Sequence, residues 1–298
     1  MEQTAVNSNT IKSNISIESG ITHEYSIKVT FIDTGKEQDY NKSKSFNGKL
    51  GIENFEVPVS VSFAEDSWKT ISTLVQSNEI SNYKVGDTKT IELDGYGTHT
   101  VRITNTSTPS ECGNSGFSQT ACGFVLEFAD IITKHNMNPS GTYKGTTYQY
   151  GWNIDGWPAS SMYTFVNNHI YNAIPSEIKN AIIDTTVVSG HGYNDRANFT
   201  STDKLYLLST AEVWAQGSSN TISGDAARDV TRQLDYYKNL GTSTTNRSGA
   251  VKKSGYAWWL RVANSSDNNN FYRVNNRGDW SNNNASTTNG VSPAFRLG

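Results

Sequence analysis

The segment 264–290, "NSSDNNNFYRVNNRGDWSNNNASTTNG", constrains the fold most. Ten of its residues are asparagine, yet it lies between "YAWWLRVA" and "VSPAFRLG", two apolar runs that read as buried strands. A polar tract on its own buries too little apolar surface to offset the entropy of ordering. Here Phe271, Tyr272, Val274 and Trp280 interrupt the tract at spacings that suit two short strands with polar faces outward. The tract is therefore expected to fold and to expose amides and rings together. Asparagine also serves turns and left-handed backbone positions. Mixtures of Asn, Ser, Tyr and Trp form adaptable binding surfaces, with rings as rigid anchors and small polar groups as hydrogen-bonding partners. The candidate ligand-binding residues are Asn264, Asn268, Asn269, Asn270, Tyr272, Asn275, Asn276, Asp279, Trp280, Asn282, Asn283 and Asn284.

The clamping runs carry a shared device. Trp258, Trp259 and Leu260 precede Arg261, and Phe295 and Leu297 flank Arg296. An arginine inside an apolar strand suits a buried or half-buried salt-bridge anchor, so Trp258, Trp259, Arg261, Phe295 and Arg296 are expected to be structural.

Upstream, residues 15–58 alternate like strands, and from Ala64 the period becomes helical, with Trp68, Ile71, Leu74 and Val75 on one stripe. This places a domain boundary near residue 62. "YKVGDTKTIELDGYGTHTVRITN" reads as a hairpin or meander, in which "DGYGTHT" is a turn and not a phosphate cradle. "GFVLEFADII" is a strand, and 134–157 is aromatic and turn-like. Met162, Phe165, Val166, Ile170 and Ile174 mark a helix, and Pro175 opens a second. The next segment is expected to hold a strand, a glycine loop and a second strand, "KLYLLS". Ser209 with Glu212 then forms a capping box, and "ARDVTRQLDYYKNL" is a further helix candidate. Helices in the middle with paired strands at both ends indicate an α+β domain whose sheet is closed by its C-terminal strand.

A formal net charge of −3, with no cluster of Lys or Arg, lacks the electrostatic footprint of a nucleic-acid binder. No apolar window is long enough to insert into a membrane, and an export or anchor segment is expected to be missing from this chain. Cys112 and Cys122 either close a Gly/Ser-rich loop as a disulfide or remain free thiols, and the sequence leaves both open. The five histidines sit in no nucleophile motif, and His191 in "VSGHGYND" reads as a loop histidine, so no enzyme and no catalytic residue is expected. No cofactor or metal site is expected. Calcium is the one metal weighed, because Asp/Asn-rich loops offer hard oxygen ligands, but "D-x-D-x-D-G" spacing is absent.

"GYAWWLRV…NNFYRVNNRGDWSNNNASTTNGVSPAFRL", together with "VGDTKTIEL", "IYNAIPSEIKNAI" and "DKLYLLSTAEVW", resembles a C-type-lectin-fold domain family of gut Firmicutes and their phages. That family is related in fold to the variable ligand-binding proteins of diversity-generating retroelements. The resemblance implies a C-type-lectin-like domain, with a mixed or antiparallel sheet and two or more helices, over 63–298. It follows a small β-rich domain over 1–62 that is similar to prepilin-like surface proteins. In the retroelement systems template adenines are mutagenised, so Asn codons are the usual targets and the encoded residues form an exposed binding face. Single changes of such codons yield Tyr, Asp and Ser, as at Tyr272, Asp279 and Ser286. The calcium motifs of sugar-binding C-type lectins and the C-terminal cysteine pair of formylglycine-generating enzymes are absent. The resemblance thus implies an adhesin or receptor-binding protein at the cell surface, outside the cell or on a virion, with a cell-surface protein or glycan as ligand. The alternative is a structural subunit of a pilus, surface layer or phage tail.

Overall fold

The helical stripe at 64–80 becomes helix α1 (Trp68–Ser77) in a computed structural model that describes residues 58–217 and 220–298. Ser67 sets its start by accepting a hydrogen bond from the Thr70 amide, and left-handed Asn78 (φ 60°) ends it. Trp68, Ile71 and Leu74 are buried, and Val75 is half-buried against the core. The described residues belong to one unit, Phe55–Gly298. Apart from 58–62, the β-rich domain expected over 1–62 lies outside the described residues.

Strands β1 (Thr88–Leu93) and β2 (Gly97–Asn105) pair antiparallel from Leu93↔Gly97, so "DGYG" is the hairpin turn. β3 (Val125–Phe128), buried at every residue, adds to β2. β4 (Thr133–His135) precedes a small hairpin of β5 (Gly141–Tyr143) and β6 (Thr146–Tyr148). Helix α2 (Ser161–Thr164) runs through a π-helical stretch (Phe165–Ile170) into α3 (Tyr171–Ala173), and α4 (Ser176–Lys179) follows Pro175. Met162, Val166, Ile170 and Ile174 are fully buried, which gives this stretch its apolar stripe.

Two expectations need correction. β7 (Thr185–Gly192) pairs not with "KLYLLS" but with β8 (Asp195–Asp203), a polar strand exposed along most of its length. Leu205–Leu208 are all fully buried, and of this run only Tyr206 makes a bridge, to Ala294. A continuous apolar run carries no period to reveal its backbone state. "ARDVTRQLDYYKNL" is likewise not one helix. After α5 (Thr210–Val213), capped by Ser209 and Glu212 reciprocally, it makes a 3-10 turn (Arg228–Val230) and then the short α6 (Asp235–Asn239). The break falls where Arg232 donates to the Ala121 carbonyl and Gln233 to the Val213 and Thr242 carbonyls.

β9 (Trp258–Ala263), β10 (Asn270–Val274), β11 (Trp280–Asn284), β12 (Asn289–Val291) and β13 (Ala294–Arg296) complete the chain. One sheet runs β1-β2-β3-β13, and the other runs β11-β10-β9-β12-β4 with a parallel β9–β12 contact. The domain is therefore α+β with largely antiparallel sheets, and its first sheet is closed by the C-terminal strand. β12 and β13, two residues apart, tie the two sheets together. Trp157, Trp214, Trp258 and Trp259 are fully buried in the core.

Glu127 and Glu212 are fully buried and ion-paired in this core. Glu127 accepts from Arg102, from the Lys252 Nζ at 2.8 Å and from the Tyr237 hydroxyl at 3.0 Å. Glu212 accepts from both Arg261 Nη atoms, at 2.6 and 2.5 Å. Both carboxyls are held below the usual range by these cations, against a desolvation that pushes them up.

Candidate functional site

The asparagine tract folds. β10 and β11 pair antiparallel through Asn270↔Asn284, Phe271↔Asn283, Tyr272↔Asn282, Arg273↔Ser281 and Val274↔Trp280, and β9 supports them from the other side. Directly opposed residues share a face. One face carries Asn270, Tyr272, Val274, Trp280, Asn282 and Asn284, and the other carries Phe271, Arg273, Ser281 and Asn283. Phe271 and Val274 are fully buried, which explains why so polar a segment stays ordered.

The asparagines divide into holders and presenters. Asn264 is buried, and its Oδ1 accepts from the Ser266 amide at 3.0 Å. Asn275 closes the β10–β11 turn, its Oδ1 accepting from the amides of Arg277 (2.8 Å) and Asp279 (3.0 Å). Asn283 Oδ1 accepts from the Asn284 amide at 3.0 Å. Asn268, Asn276 and Asn282 are exposed, while Asn269, Asn270 and Asn284 are half-buried. No asparagine of the tract takes positive φ. Among the described residues that conformation falls at Asn78, Asn194 and Asn220 instead, and within the tract only at Gly278. A Cβ on Gly278 would stand 2.1 Å from the Arg247 carbonyl oxygen, so the turn admits glycine alone.

Two of the residues expected on the exposed surface are not there. Asn264 is turned inward, and Tyr272 is only 3% exposed, with burial pushing its hydroxyl up to about 12. Both meet the chain at Gly224, where a Cβ would approach Asn264 Oδ1 to 2.3 Å and the Tyr272 hydroxyl to 2.6 Å. Tyr272 lies beneath half-buried Trp280, ring centroids 6.1 Å apart, and so supports the outer ring. Asp279 is half-buried and ion-paired with Arg247.

The flanking residues differ in role. Arg261 is fully buried against Glu212. Trp258 donates to the Ala250 carbonyl at 3.1 Å, Trp259 donates to the His135 carbonyl at 2.9 Å, and Phe295 packs on Phe128. Arg296 has no carboxylate partner among the described residues. It is half-buried, and desolvation lowers its pKa.

Three residues outside the expected set organise the site. Asn153, fully buried, directs its Nδ2 to the carbonyls of Asn264 (2.9 Å), Asp267 (2.6 Å) and Asn270 (2.8 Å), and its Oδ1 accepts from the Tyr193 amide. It thereby joins the tract to the β7–β8 hairpin. Arg273 donates from Nη1 to Asn289 Oδ1 at 2.9 Å, reaching across β9 to β12. The signal for Arg273 lies in "FYRV", which repeats the strand-interior arginine of "WLRV".

His191 sits at the end of the β7–β8 hairpin, bonded to Asp195 at 2.7 Å and stacked on Phe199. Cys112 and Cys122 form a disulfide, their Cα atoms 6.0 Å apart. Among the described residues no three His, Cys, Asp or Glu side chains gather as a metal-holding group, and no helix is long and apolar enough to cross a membrane.

No curated protein and no solved structure matches the chain. A family model described as "Domain of unknown function (DUF6273)" matches residues 131–298, which take in the whole of the β11-β10-β9-β12-β4 sheet. That match spans more than half of the chain, which therefore belongs to the DUF6273 family.

Proposed function

We propose that the protein is a non-enzymatic binding protein of the adhesin or receptor-binding type, displayed at the cell surface, outside the cell or on a virion, whose C-type-lectin-like domain presents the β10–β11 hairpin to a surface protein or glycan. The observation that carries this reading is the division of labour in the hairpin. Phe271, Tyr272 and Val274 anchor it, while Trp280, Asn276 and Asn282 reach its surface. A rigid scaffold under exposed amides and a half-exposed ring is the arrangement that binding surfaces use. The Cys112–Cys122 disulfide supports an oxidising location. The asparagine codons of the exposed positions are the ones a retroelement would diversify.

The test is binding of the labelled chain to arrayed surface glycans and to intact bacterial cells. Replacing Trp280, Asn276 and Asn282 together with alanine should abolish binding, with the chain still folding cooperatively at a somewhat lower thermal midpoint because Trp280 packs on the core, and an Asn276→Ala/Asn282→Ala variant should weaken binding with the midpoint unchanged. Equal binding by the triple variant would move the site elsewhere. Self-assembly without binding to either target would favour a structural subunit.

A further inference from the structure

Three tyrosines are exposed among the described residues, Tyr150 (48%), Tyr193 (38%) and Tyr256 (55%). Tyr256 is covered, because Lys134 Nζ stands 3.5 Å from its ring centroid. The side chains of Tyr150 and Tyr193 have no ring, cation or hydrogen-bond partner among the described residues.

The two free rings come from different elements and meet the same loop, residues 265–268. Tyr193 lies in the β7–β8 turn, where its amide donates to Asn153 Oδ1 and the next amide, that of Asn194, donates to the Ser265 carbonyl at 3.1 Å. Tyr150 precedes Asn153 by three positions. Its carbonyl accepts from the Ser286 amide at 3.0 Å, and the Asn153 amide donates to the Asn268 carbonyl at 3.1 Å. A free tyrosine is thus anchored near each end of the loop. Both backbones are fixed by close approach, since a Cβ on Gly151 would stand 2.5 Å from the Asn138 carbonyl oxygen and one on Gly192 2.2 Å from the Asn153 carbonyl oxygen. Rings carried on ordered backbone lose little further freedom when a ligand stacks on them.

The loop between the tyrosines offers polar groups that the fold leaves unused. Ser266 and Asn268 are exposed and have no side-chain partner among the described residues, and Asp267 engages only Oδ1, with the Asn269 amide at 3.0 Å.

We infer that Tyr150 and Tyr193, with Ser266, Asp267 and Asn268 between them, form a subsite for a neutral glycan. Sugar rings present C–H faces that stack on tyrosine and hydroxyls that pair with hydroxyl, amide and carboxyl groups. The Asp267 carboxyl disfavours an anionic ligand. A protein interface centres on a buried apolar core, whereas here two separate rings flank a polar loop. The inference rests on the binding reading above and names a ligand class for it. It adds a contact at the end of the β10–β11 hairpin away from Trp280, about 13 Å along the strands from the Val274↔Trp280 pair to Asn270↔Asn284.

The test is titration of the full chain with neutral hexasaccharides of glucose, galactose, mannose and N-acetylglucosamine, with polygalacturonate as the acidic arm and with bacterial cells before and after periodate oxidation. Saturable binding of at least one neutral hexasaccharide is expected, together with loss of cell binding after periodate. Tyr150→Ala and Tyr193→Ala should each weaken binding about tenfold. Their thermal midpoints should match that of the unaltered chain, because neither ring packs on the fold. Failure of every hexasaccharide, tighter binding of polygalacturonate, equal binding by both tyrosine variants, or cell binding that survives periodate and so marks a protein partner would each overturn the inference. Should any of these occur while cells are still bound through Trp280 and Asn282, this inference falls alone. If neither glycan nor cell is bound, both readings fall.

Discussion

Arg261 and Glu212 form a two-pronged ion pair in which neither side chain reaches solvent, and the Leu207 carbonyl takes a further Arg261 hydrogen at 2.8 Å. The pair joins the strand that precedes the asparagine tract to a helix whose cap is made by the same carboxylate. Removing one partner strands the other charge. Arg261→Met is expected to cost roughly 3–5 kcal/mol in chemical denaturation, and adding Glu212→Gln should restore most of that loss.

The disulfide closes a short loop, with Cys112 and Cys122 ten residues apart. Chain-entropy reasoning gives a contribution of roughly 3 kcal/mol for a loop of that length. The thermal midpoint is expected to fall on adding reductant, and a Cys112→Ser/Cys122→Ser variant should start low and ignore reductant.

Lys252 carries a pH signature. Burial pulls its amine from 10.5 down to about 8, despite the attraction of Glu127. Below pH 8 the folded protein holds a buried charge at a cost, and above it the folded state sheds the proton before the unfolded chain does. This group therefore makes stability rise with pH through the window from 8 to 10.5, by about 2 kcal/mol between pH 7 and pH 9.5. Lys252→Met should remove that rise in urea titrations at the two pH values. Glu127 and Glu212, both held low, act on the acid side, where their contribution disappears as pH falls through their folded pKa.

Asn153 gathers three carbonyls of the 264–270 loop. Asn153→Ala takes the amide from all three, although the Asn270 and Asn264 carbonyls keep backbone bonds from the Asn264 and Asp267 amides, and the expected cost is roughly 1–3 kcal/mol. Amide hydrogen exchange should quicken at Asn264, Ser265 and Asn194 before it does in β9.

Local rules made much of this fold legible. Trp68, Ile71 and Leu74 at helical spacing, Ser209 with Glu212, and Phe271, Val274 and Trp280 on paired strands each follow from residues within one turn or one hairpin. β8 was hidden because it is polar and exposed along most of its length, so no apolar alternation marks it. Arg273, Asn289 and Asn153 were hidden for another reason: their roles arise from contacts across 16 to 117 positions of chain, which no window reveals. Tyr272 was placed outside because rings in a polar tract look exposed. The glycine at 224 that receives it lies 48 residues upstream.

The split among the asparagines sets rules for building a combinatorial library on this scaffold. Positions 268, 276 and 282 face water and bear no side-chain bond that the backbone depends on, so randomising them should yield mostly folded clones. Positions 264, 275 and 289 accept hydrogens that shape the turns and orient Arg273, and diversity there would be lost to misfolding before any selection for binding began.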